Sequence, residues 1–114
     1  MEISVNRKQG VCVVACSGTL TLDQGDVILR REVEKLLEAG EKRLILEMTA
    51  LKYMDSAGVG ETIACAKRAF QHGGLIKIVL PVDGTIRRIF AVTALDRSFE
   101  IFHDEDEAVA SLVD

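Results

Sequence analysis

The sequence predicts a single α/β domain whose mixed, mainly parallel sheet of four to five strands is flanked by about four helices. Three observations carry that expectation. The 114 residues are 48% hydrophobic and 28% charged with one Pro and nine Gly, the balance of one domain over residues 1–114 that buries roughly two-thirds of its unfolded surface. The chain opens with two short apolar-rich strands around a turn, which reads as an antiparallel pair. Its middle then runs strand, helix, strand, a βαβ unit whose crossover is expected to be right-handed. Aromatic residues at 4% make the core aliphatic.

The elements follow in order. Residues 2–7 and 11–17 read as strands joined at Gln9-Gly10, where Gly takes the positive φ of a tight hairpin. Between Asp26 and Ala39, Val27, Ile28, Val33, Leu36 and Leu37 fall near one helical face, and Gly40 is a natural C′ stop. Leu44-Ile45-Leu46 is an unbroken apolar run, as in a strand covered on both sheet faces. Leu75 to Leu80, closed by Pro81, is a second such strand. Between them Val59, Ile63, Ala66 and Phe70 recur at spacings of four, three and four, an amphipathic helix ending before Gly73-Gly74. Ile86, Ile89 and Phe90 mark a third helix, Phe99 to Phe102 a last strand, and Ala108, Val109 and Leu112 a final short helix. Asp104, Glu105, Asp106 and Glu107 would fill the N-cap and first turn of that helix, where acids complement the macrodipole.

Composition excludes several function classes. The net charge of −4 and the absence of a Lys/Arg block argue against nucleic acid as a partner. No apolar run has signal-peptide or membrane-spanning form, so no membrane insertion and a cytoplasmic location are expected. Cys12, Cys16 and Cys65 are odd in number, two of them within a buried-strand run, and read as reduced core residues. The acidic run 104–107 lacks EF-hand spacing and its Gly, so no metal is assigned and no cofactor is expected.

Enzyme readings lack a complete constellation. Cys65 and His72 lie seven residues apart on one helix, about 10 Å along its axis, beyond the reach of a nucleophile and its base. His72 suits the end of a helix, and His103, just after a strand, suits the surface. Gly58-Val59-Gly60 sits where a dinucleotide fingerprint would, but Ile63 takes the third glycine position. A hydrolase elbow needs Gly two residues before its serine, where this chain has Met54 before Ser56. What remains is Tyr53-Met54-Asp55-Ser56-Ala57-Gly58-Val59-Gly60, between a strand exit and a helix start. Asp55 or Ser56 can cap the helix there, and the same edge of an α/β sheet is where such folds present their sites.

Asp55-Ser56-Ala57-Gly58-Val59-Gly60 resembles the D-S-[SA]-G-[LIV]-G segment of STAS domains, the family of bacterial anti-sigma factor antagonists and of sulfate-transporter tails. Cys16-Ser17-Gly18-Thr19-Leu20, Leu44-Ile45-Leu46-Glu47-Met48 and Ile86 to Leu95 support the resemblance, which spans nearly the whole chain. It departs from the family where Thr21 follows Leu20 and the acid comes only at Asp23, and where Ala94 stands in place of Gly. A chain that is all STAS domain looks like the antagonist branch.

The resemblance implies that Ser56 is phosphorylated by a partner anti-sigma factor serine kinase and reset by a serine phosphatase. It implies partner contacts at Asp55, Ser56, Ala57, Gly58, Val59 and Gly60, with Thr21 and Asp23 beside them. The protein is then a substrate and binding partner, not an enzyme. The alternatives are a STAS subunit on the ATPase of a lipid-transporting ABC system, a stress-sensing scaffold component, and a small nucleotide binder using the helix N-terminus as an anion site.

Overall fold

A computed structural model describes residues 1–113 as five strands and five helices. The strands lie in the order β1 (Glu2–Lys8), β2 (Val11–Leu20), β3 (Arg43–Met54), β4 (Leu75–Val79) and β5 (Ile101–Phe102). β1 and β2 are antiparallel and every other neighbouring pair is parallel. The helices are α1 (Gly25–Glu38), α2 (Ser56–Gln71), α3 (Thr85–Val92), α4 (Leu95–Ser98) and α5 (Glu105–Leu112). This is the mixed, mainly parallel sheet that the sequence predicts.

Alternation along the strands divides the interior into two layers. Cys12, Val14 and Cys16 of β2, Leu44, Leu46 and Met48 of β3 and Ile76 and Ile78 of β4 face one side, where they meet Leu29, Val33 and Leu37 of α1, Cys65 and Ala69 of α2 and Ile86 and Phe90 of α3. Val11, Val13, Ile45 and Val79 face the other side and meet Ala108, Val109 and Leu112 of α5. A strand read from both faces needs apolar residues at consecutive positions, which is why its apolar run is unbroken.

The hairpin between β1 and β2 turns on Gln9 and Gly10, with φ of 54° and 82°. Positive φ at both central residues is a type I′ turn, whose twist matches the flanking strands. β2 extends three residues beyond the expected 17, and β3 runs far beyond the Leu44–Leu46 run. The reason lies in its register. Ala15 pairs with Glu47 but Ser17 with Ala50, and Gly18 pairs with Leu51 but Thr19 with Tyr53. β3 thus carries an extra residue at two points, and each bulge turns a spacing of two into three. Met48, Leu51 and Met54 are buried accordingly, a period that resembles neither strand nor helix.

Other differences are shifts of face and of boundary. The buried stripe of α1 is Leu29, Val33 and Leu37, while Ile28 is exposed. That of α2 is Gly58, Thr62, Cys65 and Ala69, one position back from the expected Val59, Ile63, Ala66 and Phe70. Phe70 is 82% exposed. Small residues let α2 lie close on the sheet, and the bulkier ones flank a cleft of about 400 Å³ between α2 and Ser98-Phe99. Phe99 ends the one-turn helix α4, which leaves only Ile101 and Phe102 for β5 instead of the expected 99–102.

Candidate functional site

Leu20 and Met54 are paired neighbours at the ends of β2 and β3, so the two loops that follow them leave the sheet side by side. Asp55 ties them together. Its Oδ1 accepts the Gly58 N–H at 3.0 Å and its Oδ2 accepts the Leu22 N–H at 3.0 Å, while its own N–H donates to the Leu20 carbonyl at 3.3 Å. Asp55 is therefore the N-cap of α2 and also the clamp on the β2–α1 loop. Backbone donors, that of Gly58 first and that of Leu22 next, hold its carboxyl below the usual carboxylate range.

Ser56 is the first residue of α2 and is exposed. Among the described residues its hydroxyl has no hydrogen-bond partner. With Asp55 in the capping role, the Ser56 oxygen is left facing solvent beside the free end of a helix, where N–H groups and the dipole tolerate negative charge. The first turn of α2 contains no acidic residue.

The structure brings together the residues expected to meet a partner. Thr21 is half-buried and its carbonyl accepts the Asp26 N–H at 3.1 Å, closing the loop that carries Asp23. Asp23 is exposed with φ of 65°, a conformation that Asp adopts more readily than most residues. Ala57 is half-buried, and Val59 packs against the larger core. Gly58 is held by sterics: a Cβ there would lie 2.2 Å from the Leu20 carbonyl oxygen and 3.0 Å from Met54 Cβ. A Cβ on Gly60 would meet nothing within 4 Å. Leu22, which the sequence reading did not assign to the site, and Tyr53, which it placed in the candidate segment but not among the partner contacts, expose 61% and 48% of their surface, Leu22 bonded to Asp55 and Tyr53 two residues before it. Their signal was an apolar residue just past the end of β2, Leu22, and an aromatic next to the last residue of β3, Tyr53, neither with a packing partner expected.

Other candidate groups lie apart from this surface. Cys65 is buried in the α1–α2 seam, with its Sγ 3.4 Å from Glu61 Oε2, and burial foremost pushes its thiol up. His72 is exposed, with Nδ1 2.9 Å from the Arg68 carbonyl oxygen. Cys16 is pushed up to about 12 by burial, and Cys12 is raised for the same reason; all three thiols are free. His103 Nδ1 lies 3.1 Å from the Leu80 carbonyl oxygen. In the acidic run, Asp104 caps α5 by accepting the Asp106 N–H at 3.0 Å, and Glu105 pairs with Lys8. No helix among the described residues is long and apolar enough to cross a membrane.

The site is an exposed, clamped surface that presents the unengaged Ser56 hydroxyl at the start of α2. A family model described as STAS domain matches residues 2–108. The anti-sigma F factor antagonist of Paenibacillus polymyxa is 25% identical over 112 residues, covering 98% of this chain and 95% of that protein. The crystal structure of an anti-sigma factor antagonist from Mycobacterium paratuberculosis superposes with a TM-score of 0.81 at 22% identity, covering 97% of this chain and 92% of that one. The phosphorylated form of the Bacillus cell fate determinant SpoIIAA does so with a TM-score of 0.67 at 19% identity, covering 97% and 99%.

Proposed function

The chain belongs to the STAS domain family, and on that premise we propose that it is an anti-sigma factor antagonist working by partner switching, with residues 1–114 acting as one STAS unit. It binds a kinase-type anti-sigma factor when Ser56 is free and releases it when Ser56 carries phosphate. The observation that carries this reading is the Ser56 hydroxyl, exposed and unengaged at the start of α2 while Asp55 performs the capping.

In the phosphorylation step the γ-phosphoryl group of ATP passes to Ser56 Oγ, the P–O bond to ADP breaks, and the serine proton goes to a base on the kinase. This chain supplies only the nucleophile and its placement, because phosphoryl transfer is mostly positioning and charge neutralisation. Asp55 holds the turn, Gly58 seats α2 against β2, and Gly60 leaves the exposed side of the first turns open to a close approach. Thr21, Leu22, Asp23 and Tyr53 complete the contact surface.

The same phosphate acts oppositely on fold and complex. On the isolated domain its charge of about −1.5 to −2 sits at a helix N-terminus, a favourable place. Against a packed partner it meets steric overlap and a desolvation cost of several kcal/mol, and each ~1.4 kcal/mol is tenfold in affinity. A serine phosphatase would restore binding.

The test is capture from a lysate of the source organism with wild-type, Ser56→Ala and Ser56→Asp baits. Wild type and Ser56→Ala should hold an ATP-binding anti-sigma kinase that Ser56→Asp loses, and only wild type should gain phosphate from it with ATP. Equal retention of a transporter ATPase by all three baits, or equal phosphorylation of Ser56→Ala, would overturn the proposal.

A further inference from the structure

The sheet ends differently on its two sides. β5 is two residues long, whereas β1 presents seven residues of strand at the other edge, with no strand beyond it among the described residues. Lys8 and Val11 pair across the two-residue turn, so they exchange hydrogen bonds, and hydrogen-bonded pairs alternate from there. Asn6, Ser4 and Glu2 therefore bond to β2. The N–H and C=O groups of Ile3, Val5 and Arg7 point outward, an open template for another strand.

Two devices that commonly guard such an edge, a proline and a bulge, are missing from β1. It contains no Pro, and its register with β2 is continuous, without a bulge. Its charges lie at the two ends, Glu2 at one and Arg7 and Lys8 at the other. Among the described residues Glu2 has no ion-pair partner.

We propose that β1 is a self-association edge, pairing antiparallel with β1 of a second copy about a two-fold axis at Val5. In that register Val5 faces its own copy, Ile3 faces Arg7, Ser4 faces Asn6 and Glu2 faces Lys8. The outward groups sit at positions 3, 5 and 7, symmetric about the axis, so each outward N–H meets an outward C=O. Glu2 meets Lys8, which also pairs with Glu105 of its own domain, as a closely spaced cross-strand neighbour of opposite charge at each end. Moving the axis by one residue either way shortens the overlap and separates Glu2 from Lys8. The Glu2 end of β1 lies beside Ser17, on the side where β2 and β3 run out towards Ser56. An antiparallel pair thus sends the two Ser56 surfaces in opposite directions and leaves both open.

The experiment has two arms. Ser4 and Asn6 are exposed and all native cysteines are buried, so Ser4→Cys and Asn6→Cys proteins are oxidised mildly, alone and mixed. Facing positions of this kind lie about 4.5 Å apart at Cα, within disulfide range. A cross-linked dimer should form in the mixture and not in either protein alone. In the second arm, sedimentation across micromolar to millimolar concentration compares wild type with Val5→Pro and Glu2→Lys. Val5 donates nothing to β2 but its side chain packs on the larger core, so proline there should spare the β1–β2 ladder, lower the thermal midpoint without preventing folding, and abolish the dimer. Glu2→Lys should weaken it about tenfold, from like charges at both ends. A wild type that stays monomeric at millimolar concentration, a Val5→Pro protein that folds and dimerises equally well, or equal cross-linking of the single variants would each overturn the proposal.

Discussion

Two glycines two positions apart in α2 answer different constraints. At Gly58 an added methyl would lie 2.2 Å from a backbone oxygen of β2, so Gly58→Ala must lift the helix start off the sheet, at a cost of about 1–3 kcal/mol. Gly60 has open space around it and sits inside a helix, where Gly is weaker than Ala by about 0.5–1 kcal/mol. Gly60→Ala should therefore stabilise the isolated domain in thermal or urea unfolding while weakening capture of the anti-sigma partner. A variant both more stable and equally well bound would remove Gly60 from the proposed contact surface. Asp55 provides a pH signature. Its folded carboxyl titrates below the ordinary value of 3.8, so its cap contributes fully above that pH and is lost as pH falls through the folded pKa. In Asp55→Asn the amide oxygen still caps but does not titrate. Its acid-unfolding curve should be flatter than that of wild type below about pH 4.

At the level of elements, legibility depended on whether one physical rule acted alone. The hairpin, β4 and the capped start of α5 were readable because turn chemistry and sequence pattern agreed there, while α1 was readable as a helix but not in its buried face. β3 was readable only over 44–46, since beyond it two bulges rephase the inward positions and no fixed period survives. In α2 the apolar stripe at 59, 63, 66 and 70 outweighed the small residues at 58, 62, 65 and 69 that the sheet selects, because close approach favours small side chains over hydrophobic ones. The Asp55-to-Gly60 motif was visible as residues, but the clamp from Asp55 to Leu22 was not, being a contact between loops 33 positions apart. Glu61 was missed altogether. It is buried between Arg68, 2.5 Å away, and Arg30, 3.5 Å away, with the Cys65 thiol beside it. Glu61→Ala would leave Arg30 without its carboxylate and Arg68 held by Glu34 alone in the α1–α2 seam, and a loss of about 1–3 kcal/mol is expected in urea unfolding. The joint between α3 and α4 tests the opposite sign. Ala94 holds φ of 62° at the position after the α3 cap, where a left-handed residue with a Cβ costs about 1–2 kcal/mol. Ala94→Gly should raise the thermal midpoint by a few degrees, since each kcal/mol is about 4 °C in a domain this size.

Across the whole molecule, the two faces of the sheet are unequally covered. One carries α1, α2 and α3 over a continuous core, and the other carries α5, anchored by Ala108, Val109 and Leu112 on Val11, Val13, Ile45 and Val79. Polar links add to that anchor. Lys77 Nζ donates to Ser111 Oγ at 3.0 Å and pairs with Glu100 at 2.7 Å, and Lys8 pairs with Glu105. The Lys8–Glu105 pair lies at the surface and contributes little, about 0–1 kcal/mol, and salt screens it. α5 can therefore open while the β2–β3 ladder stays shut, because its loss uncovers one face and breaks no central strand pairing. Native-state hydrogen exchange should show the amides of Ala108 to Leu112 exchanging through an opening of lower free energy than those of Val13, Val14, Ile45 and Leu46. Val109→Ala should widen that gap without touching the Ser56 surface, and added salt should widen it slightly. If α5 amides exchanged only with global unfolding, the smaller layer would be as cooperative as the larger one. A switch at Ser56 would then act on a single rigid body, where unequal protection makes the α5 face the part of the domain free to loosen while the partner-binding edge keeps its shape.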